Sequence, residues 1–154
     1  MRKVEWATIF FFIGLFVAVG GLSETGVIRD LATGAVALTE GDVTKTSLLV
    51  LWLSALVSSV LDNIPFVATL IPLIQDMGQM GLSNLDPMWW SLALGACLGG
   101  NGTLIGASAN VVVASMAAQR GKQISFLGFM KIAFPVMIMT IAVSSVYVWL
   151  RYLL

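Results

Sequence analysis

Charged residues are absent from five long blocks of this chain: Trp6 to Leu22, Thr46 to Leu61, Asn63 to Gln75, Pro87 to Gln119 and Ile132 to Leu150. A hydrocarbon core of about 30 Å takes roughly 20 helical residues. Residues 4–22 therefore predict a first membrane crossing, with Trp6 as an interfacial anchor. Arg2 and Lys3 ahead of an apolar run also fit a secretory signal, but the run exceeds the usual signal core and no clear A-x-A cleavage site follows it. Between Ser23 and Lys45 the chain turns polar, while Val27, Ile28, Leu31, Val36 and Leu38 supply the apolar side of an interfacial helix.

The stretch 47–77 is mostly apolar but is interrupted by Asp62-Asn63-Ile64-Pro65. A single straight helix over it would be about 46 Å long. Pro65 inside that helix would delete a hydrogen bond and clash with the preceding turn, at about 3 kcal/mol. The pattern instead predicts two short arms, each reaching beyond mid-membrane, in a re-entrant hairpin. Asp62 or Asn63 suits the N-cap of the second arm, where Pro65 falls in the first turn and its missing N–H costs nothing.

The next apolar run, 88–119, is also interrupted near its centre. Gly99-Gly100-Asn101-Gly102-Thr103 and Gly106-Ala107-Ser108-Ala109-Asn110 are poor helix formers, so this run predicts a broken transmembrane helix. Met88 to Leu98 makes about 16 Å of helix, which brings the break near half the bilayer thickness. A last crossing is expected over 126–150, containing Pro135 and ending at Trp149, Arg151 and Tyr152. In this arrangement Arg2, Lys3, Arg120 and Lys122 share one face, which the positive-inside rule makes cytoplasmic.

Composition agrees with a lipid solvent: of 154 residues, 58% are hydrophobic and 10% charged, against about 25% charged in a water-soluble chain. The fold class is thus an all-α integral membrane protein. Basic and acidic residues number eight each, which leaves no clustered basic surface for nucleic acid. With no histidine and Cys97 as the one cysteine, nucleophilic triads, zinc centres and disulfide frameworks cannot be assembled. Cys97 reads as a packing residue and Lys131 as a snorkelling one.

Backbone left unsatisfied at membrane depth is tolerated only where protein or an aqueous cavity surrounds it. Broken helices expose partial charges at the midplane that coordinate small ions, which is how transporters are built. Asp62 is the acid at the first break, and an ionised carboxylate in mid-bilayer costs about 2.5–3.5 kcal/mol on insertion scales. It either binds a cation or proton during transport or accepts N–H bonds as a cap. Ser59 and Asn63 offer further oxygens at the hairpin tip. Ser54 and Ser58 fit close helix packing. From the second break, Asn101, Thr103, Ser108 and Asn110 are candidate ligands or caps, with Gly99, Gly100, Gly102 and Gly106 lining the site with backbone.

The stretch from Ser54 to Thr69, SALVSSVLDNIPFVAT, resembles the hairpin of the ArsB/NhaD permease group of the ion-transporter superfamily, which the melanosomal P-protein also resembles. Leu94 to Asn110, LGACLGGNGTLIGASAN, is similar to that group's later broken helix, and Glu5 to Phe16 is similar to the start of its second half. The resemblance implies two inverted repeats, each with a hairpin and a broken helix, of which this chain carries one. It implies that Asp62, Asn63 and the Asn101–Asn110 stretch approach a substrate site. It further implies secondary-active transport of an inorganic ion such as sodium or arsenite, or of a dicarboxylate, with H+ or Na+ as coupling ion and no other cofactor. Asp62, standing where the hairpin otherwise has neutral polar residues, disfavours the carboxylate. The expected partners are the bilayer, most simply the plasma membrane, and a separately encoded N-terminal half or a second copy. A transport-incompetent accessory half is the competing expectation.

Overall fold

The computed structural model describes residues 6–154. The expected orientation leaned on Arg2 and Lys3, and the first crossing on Val4; these lie outside the described residues, as does the Trp6 side chain. Seven α-helices and no strand occur among the described residues: α1 (Trp6–Glu24), α2 (Val27–Leu38), α3 (Val43–Ser58), α4 (Asn63–Gln79), α5 (Asp86–Gly99), α6 (Ser108–Gln119) and α7 (Phe126–Val148). A π-helical turn, Trp149–Leu153, prolongs α7. Within the described residues one continuous helix, Phe126–Leu153, is long and apolar enough to cross a membrane by itself.

Local chemistry sets the helix ends. Asp42 caps α3 by accepting the Lys45 N–H at 2.9 Å, so the helix starts before the charge-free block does. Pro87 stands in the first turn of α5, which begins at Asp86. Ser125 accepts from the Gly128 N–H at the start of α7. Pro72 and Pro135 are carried inside continuous helices. Gly26, Gly41, Gly81 and Gly121 take positive φ in the polar connections, a conformation that costs a residue with a β-carbon more than it costs glycine.

Two clusters hold the helices together. Ile28 and Ala32 of α2, Val50 of α3, Leu70, Ile74 and Met77 of α4 and Met88 and Leu92 of α5 form the larger one. It gathers the outer ends of α3 and α4 with the start of α5, so α3 and α4 make a V whose apex is the 59–62 break. The smaller cluster joins Leu51 and Ala55 of α3 to Met137 and Ile141 of α7. Trp52 donates its indole N–H to Ser145 Oγ at 3.1 Å, and Trp90 stacks on Tyr152 with ring centroids 5.8 Å apart. These contacts place α7 antiparallel to α5.

The closest packing is between α3 and α5, which run parallel in a constant register of 44 positions. Leu51 stands against Gly95 and Ala55 against Gly99: a β-carbon at Gly95 would sit 2.5 Å from Leu51 O, and one at Gly99 would strike the backbone of Ala55. Two glycines four apart let the backbones touch, as small residues do at membrane helix interfaces. Ser54 and Ser58 are fully buried along this seam, and Ser58 Oγ donates to Ala96 O at 2.6 Å. Cys97, expected to pack, is exposed instead. Gly95, Ala96 and Gly99 occupy the face turned to α3, and helical spacing rotates position 97 away from it.

Candidate functional site

The α3–α5 register carries both helix breaks to one place. The first break ends α3 at Ser58, and Asp62 then caps α4 by accepting the Ile64 N–H at 3.3 Å. The second spans residues 100–107, between Gly99 and Ser108. Thr103 Oγ1 donates to Ser59 O across the two breaks. The same hydroxyl oxygen accepts from the Gly106 N–H at 3.1 Å.

This junction is dense with main chain. A β-carbon at Gly106 would lie 2.7 Å from Ser59 O and 2.8 Å from Gly100 O. One at Gly102 would meet Met137 Sδ at 2.5 Å and Ser59 Cβ at 3.2 Å. Asn110, in the first turn of α6, donates its amide to Gly100 O at 3.0 Å and Thr103 O at 3.1 Å. The 100–107 loop is thereby folded back on itself, and the Gly100 and Thr103 carbonyls are satisfied by a side chain.

The predicted site residues separate into two groups. Ser59, Gly99, Gly100, Gly102, Thr103, Gly106 and Asn110 are brought together by the contacts just described. All of these but the half-buried Asn110 are buried, and Ser59 and Thr103 have committed their hydroxyl protons to backbone: Ser59 Oγ donates to Leu56 O at 2.7 Å. Their oxygens hold the breaks in shape. Asp62, Asn101 and Ser108 are exposed at the edges of the junction, and Asn63 is half-buried. The side chains of Asn63, Asn101 and Ser108 form no hydrogen bond, and Asp62 forms no ion pair, among the described residues. Those polar groups are free to meet a ligand.

Asn63 also faces a groove of about 480 Å³ between α4 and α1, lined by Phe16, Ile64, Val67, Ala68 and Ile71. The α6 helix starts at Ala107, which supplies no side-chain cap, and none of its residues is buried. Its N-terminal N–H groups are thus polarised donors beside the break. Met137 and Ala55 belong to this site and carry no signal in the sequence, because an apolar side chain and an alanine inside apolar helices look the same wherever they pack.

A family model described as a citrate transporter matches residues 1–95. The chain belongs to the citrate transporter family. An uncharacterized transporter of Mycobacterium tuberculosis is 47% identical over 154 residues, covering 99% of this chain and 36% of the relative. A 46 kDa membrane protein of Mycobacterium leprae is 44% identical over 155 residues, covering 99% and 36%. The P protein of Homo sapiens is 43% identical over 155 residues, covering 96% of this chain and 18% of the relative. The chain therefore spans about a third of the length of the mycobacterial relatives and less of the P protein. No solved structure matches it significantly.

Family and relatives agree with the resemblance to the ion-transporter superfamily and the P-protein group. The family's description and the mycobacterial relatives' names are those of transporters and of a membrane protein. The family match includes the first break, and the alignment with the mycobacterial relatives extends through the second.

Proposed function

We propose that the junction of the two breaks is one side of the passenger site of a secondary-active transporter. The observation that carries this reading is the Thr103-to-Ser59 staple, which holds two non-helical segments of an apolar chain together while, among the described residues, the side chains of Asn63, Asn101 and Ser108 form no hydrogen bond and Asp62 forms no ion pair. Non-helical backbone at membrane depth is costly unless it lines a site.

In this reading α3 and α4 form a re-entrant hairpin and α5 and α6 a broken transmembrane helix, together making one of two inverted repeats. The second repeat lies in the length its relatives have beyond the matched part, or in a partner chain or a second copy. Asp62 holds the coupling proton or sodium. Asn63, Asn101, Ser108 and the Oδ1 of Asn110 contact the passenger, and Ser59, Thr103 and the glycines position them. The Asp62 carboxylate, with no cation paired to it among the described residues, favours a small inorganic ion exchanged for protons.

A carboxylate passenger is the second reading. The uncapped start of α6 favours it, since helix N-termini bind anions, and the family's description names citrate. Flux of sodium, arsenite and citrate into proteoliposomes holding the complete transporter, with and without a pH gradient, separates the two. Proton-coupled inorganic-ion flux abolished by Asp62→Asn supports the first, and citrate flux that Asp62→Asn leaves intact supports the second. No gradient-driven flux of any of the three sinks the transport assignment.

A further inference from the structure

Between the arms of the V lies a second cavity, of about 300 Å³, which the passenger site does not use. Its α4 wall is a single stripe, Phe66, Leu70, Leu73 and Met77, at the three- and four-residue spacing of one helix face. That stripe extends about 16 Å along the axis, so the space is a slot running with the helix. Leu49 and Leu53 of α3 form the opposite wall, and Ala35 of the amphipathic α2 lies along its side.

The slot offers water nothing to bind. Thr69 is its one polar side chain, and Thr69 Oγ1 already donates to Pro65 O at 3.0 Å. A buried water needs two to four polar partners, and apolar cavities without them stay dry and take apolar guests. At about 30 Å³ per water-sized group, the slot takes roughly ten chain carbons.

We infer that this slot binds one acyl chain of a membrane phospholipid. Its length, volume and apolar lining match an extended hydrocarbon tail, and the surrounding bilayer supplies that ligand at high concentration. Charge complementarity fixes which end holds the headgroup. Lys45 precedes Leu49 by one helical turn on the same stripe, and its ion pair with Glu40, at 2.7 Å, is exposed. An exposed pair of this kind is weak and exchanges readily for a lipid phosphate.

The test uses the complete transporter in vesicles of phosphatidylglycerol and phosphatidylcholine carrying a photoreactive diazirine midway along one acyl chain, with labelled peptides located by mass spectrometry. Labelling is expected on the 49–53 and 66–77 segments, above that of the exposed α7 residues Val136, Met139 and Val143. Ala35→Leu, a gentle filling of the slot, lowers labelling of those segments about fivefold and leaves α7 labelling unchanged. Lys45→Gln lowers it for phosphatidylglycerol more than for phosphatidylcholine. Labelling confined to α7, equal labelling in Ala35→Leu, or crosslinks from the slot to another protein segment overturns the inference. None of these outcomes depends on flux, so the transport assignment stands or falls separately.

Discussion

Thr103 and Ser59 are joined by a hydrogen bond from a side-chain hydroxyl to a main-chain carbonyl, between two segments that are both out of helical conformation. The same hydroxyl receives the Gly106 N–H, so one oxygen ties the tip of the hairpin to the middle of the second break and closes a turn within it. Thr103→Val keeps the shape and removes the bonds. It removes the partner of the buried Ser59 carbonyl, at about 1–3 kcal/mol, and leaves the Gly106 N–H only its longer bond to Thr103 O, at 3.4 Å. A thermal melt in detergent should fall markedly for Thr103→Val and hardly at all for Thr103→Ser, and equal melts for the two would remove the staple from the account.

Gly99→Ala tests the α3–α5 seam. Its β-carbon would collide with the Ala55 backbone, which cannot swing aside as a side chain does, and overpacking of this kind costs about 1–3 kcal/mol. Gly34→Ala is the control, since nothing lies within 4 Å of a β-carbon there; in mid-helix it should gain about 0.5–1 kcal/mol. Opposite signs in unfolding measurements on the two variants are the expected result.

Asp62 has two separable roles. Asparagine caps a helix about as well as aspartate, whereas alanine loses about 1 kcal/mol. Asp62→Asn should therefore melt like the wild type and lose proton-coupled flux, while Asp62→Ala loses both. Retained flux with an unchanged pH profile in Asp62→Asn would reduce Asp62 to a cap.

Acid should loosen the start of α3. The Lys45 N–H bonded to Asp42, opposed by a small desolvation, holds that carboxyl below its ordinary value of 3.8. A depressed folded value means that the stability it contributes is complete above the unfolded pKa and is lost as the pH falls through the lower folded one. Protection of the Lys45 amide, relative to the intrinsic exchange rate at each pH, should fall below about pH 4 in the wild type, and the Asp42→Asn variant should not show that acid step.

Much of the fold is legible wherever the physics is local. Charge-free blocks and sparse polar residues specify an all-helical membrane chain. Asp62 and Pro65 mark a helix start because capping and the missing N–H act within one turn, and the crowding of glycine at 99–106 marks where α5 cannot continue. Hydropathy blurs the true starts at Val43 and Asp86, since polar residues crowd the first turn and its approach. The register of α3 on α5 is not written locally. It arises from the fit of Gly95 and Gly99 against Leu51 and Ala55, so the use of the Ser59 and Thr103 hydroxyls, the bond from Ser58 to Ala96 and the contact of Met137 on Gly102 emerge only in three dimensions.

The parallel seam also restricts how this molecule moves. With Leu51 and Ala55 abutting Gly95 and Gly99, main chain to main chain, neither helix slides or tilts without collision, because packed interiors switch between discrete arrangements and do not deform smoothly. The pair travels in tandem, as a single strut. Freedom is left to α6, which buries no residue, and that piece must supply whatever yielding lets a passenger in and out.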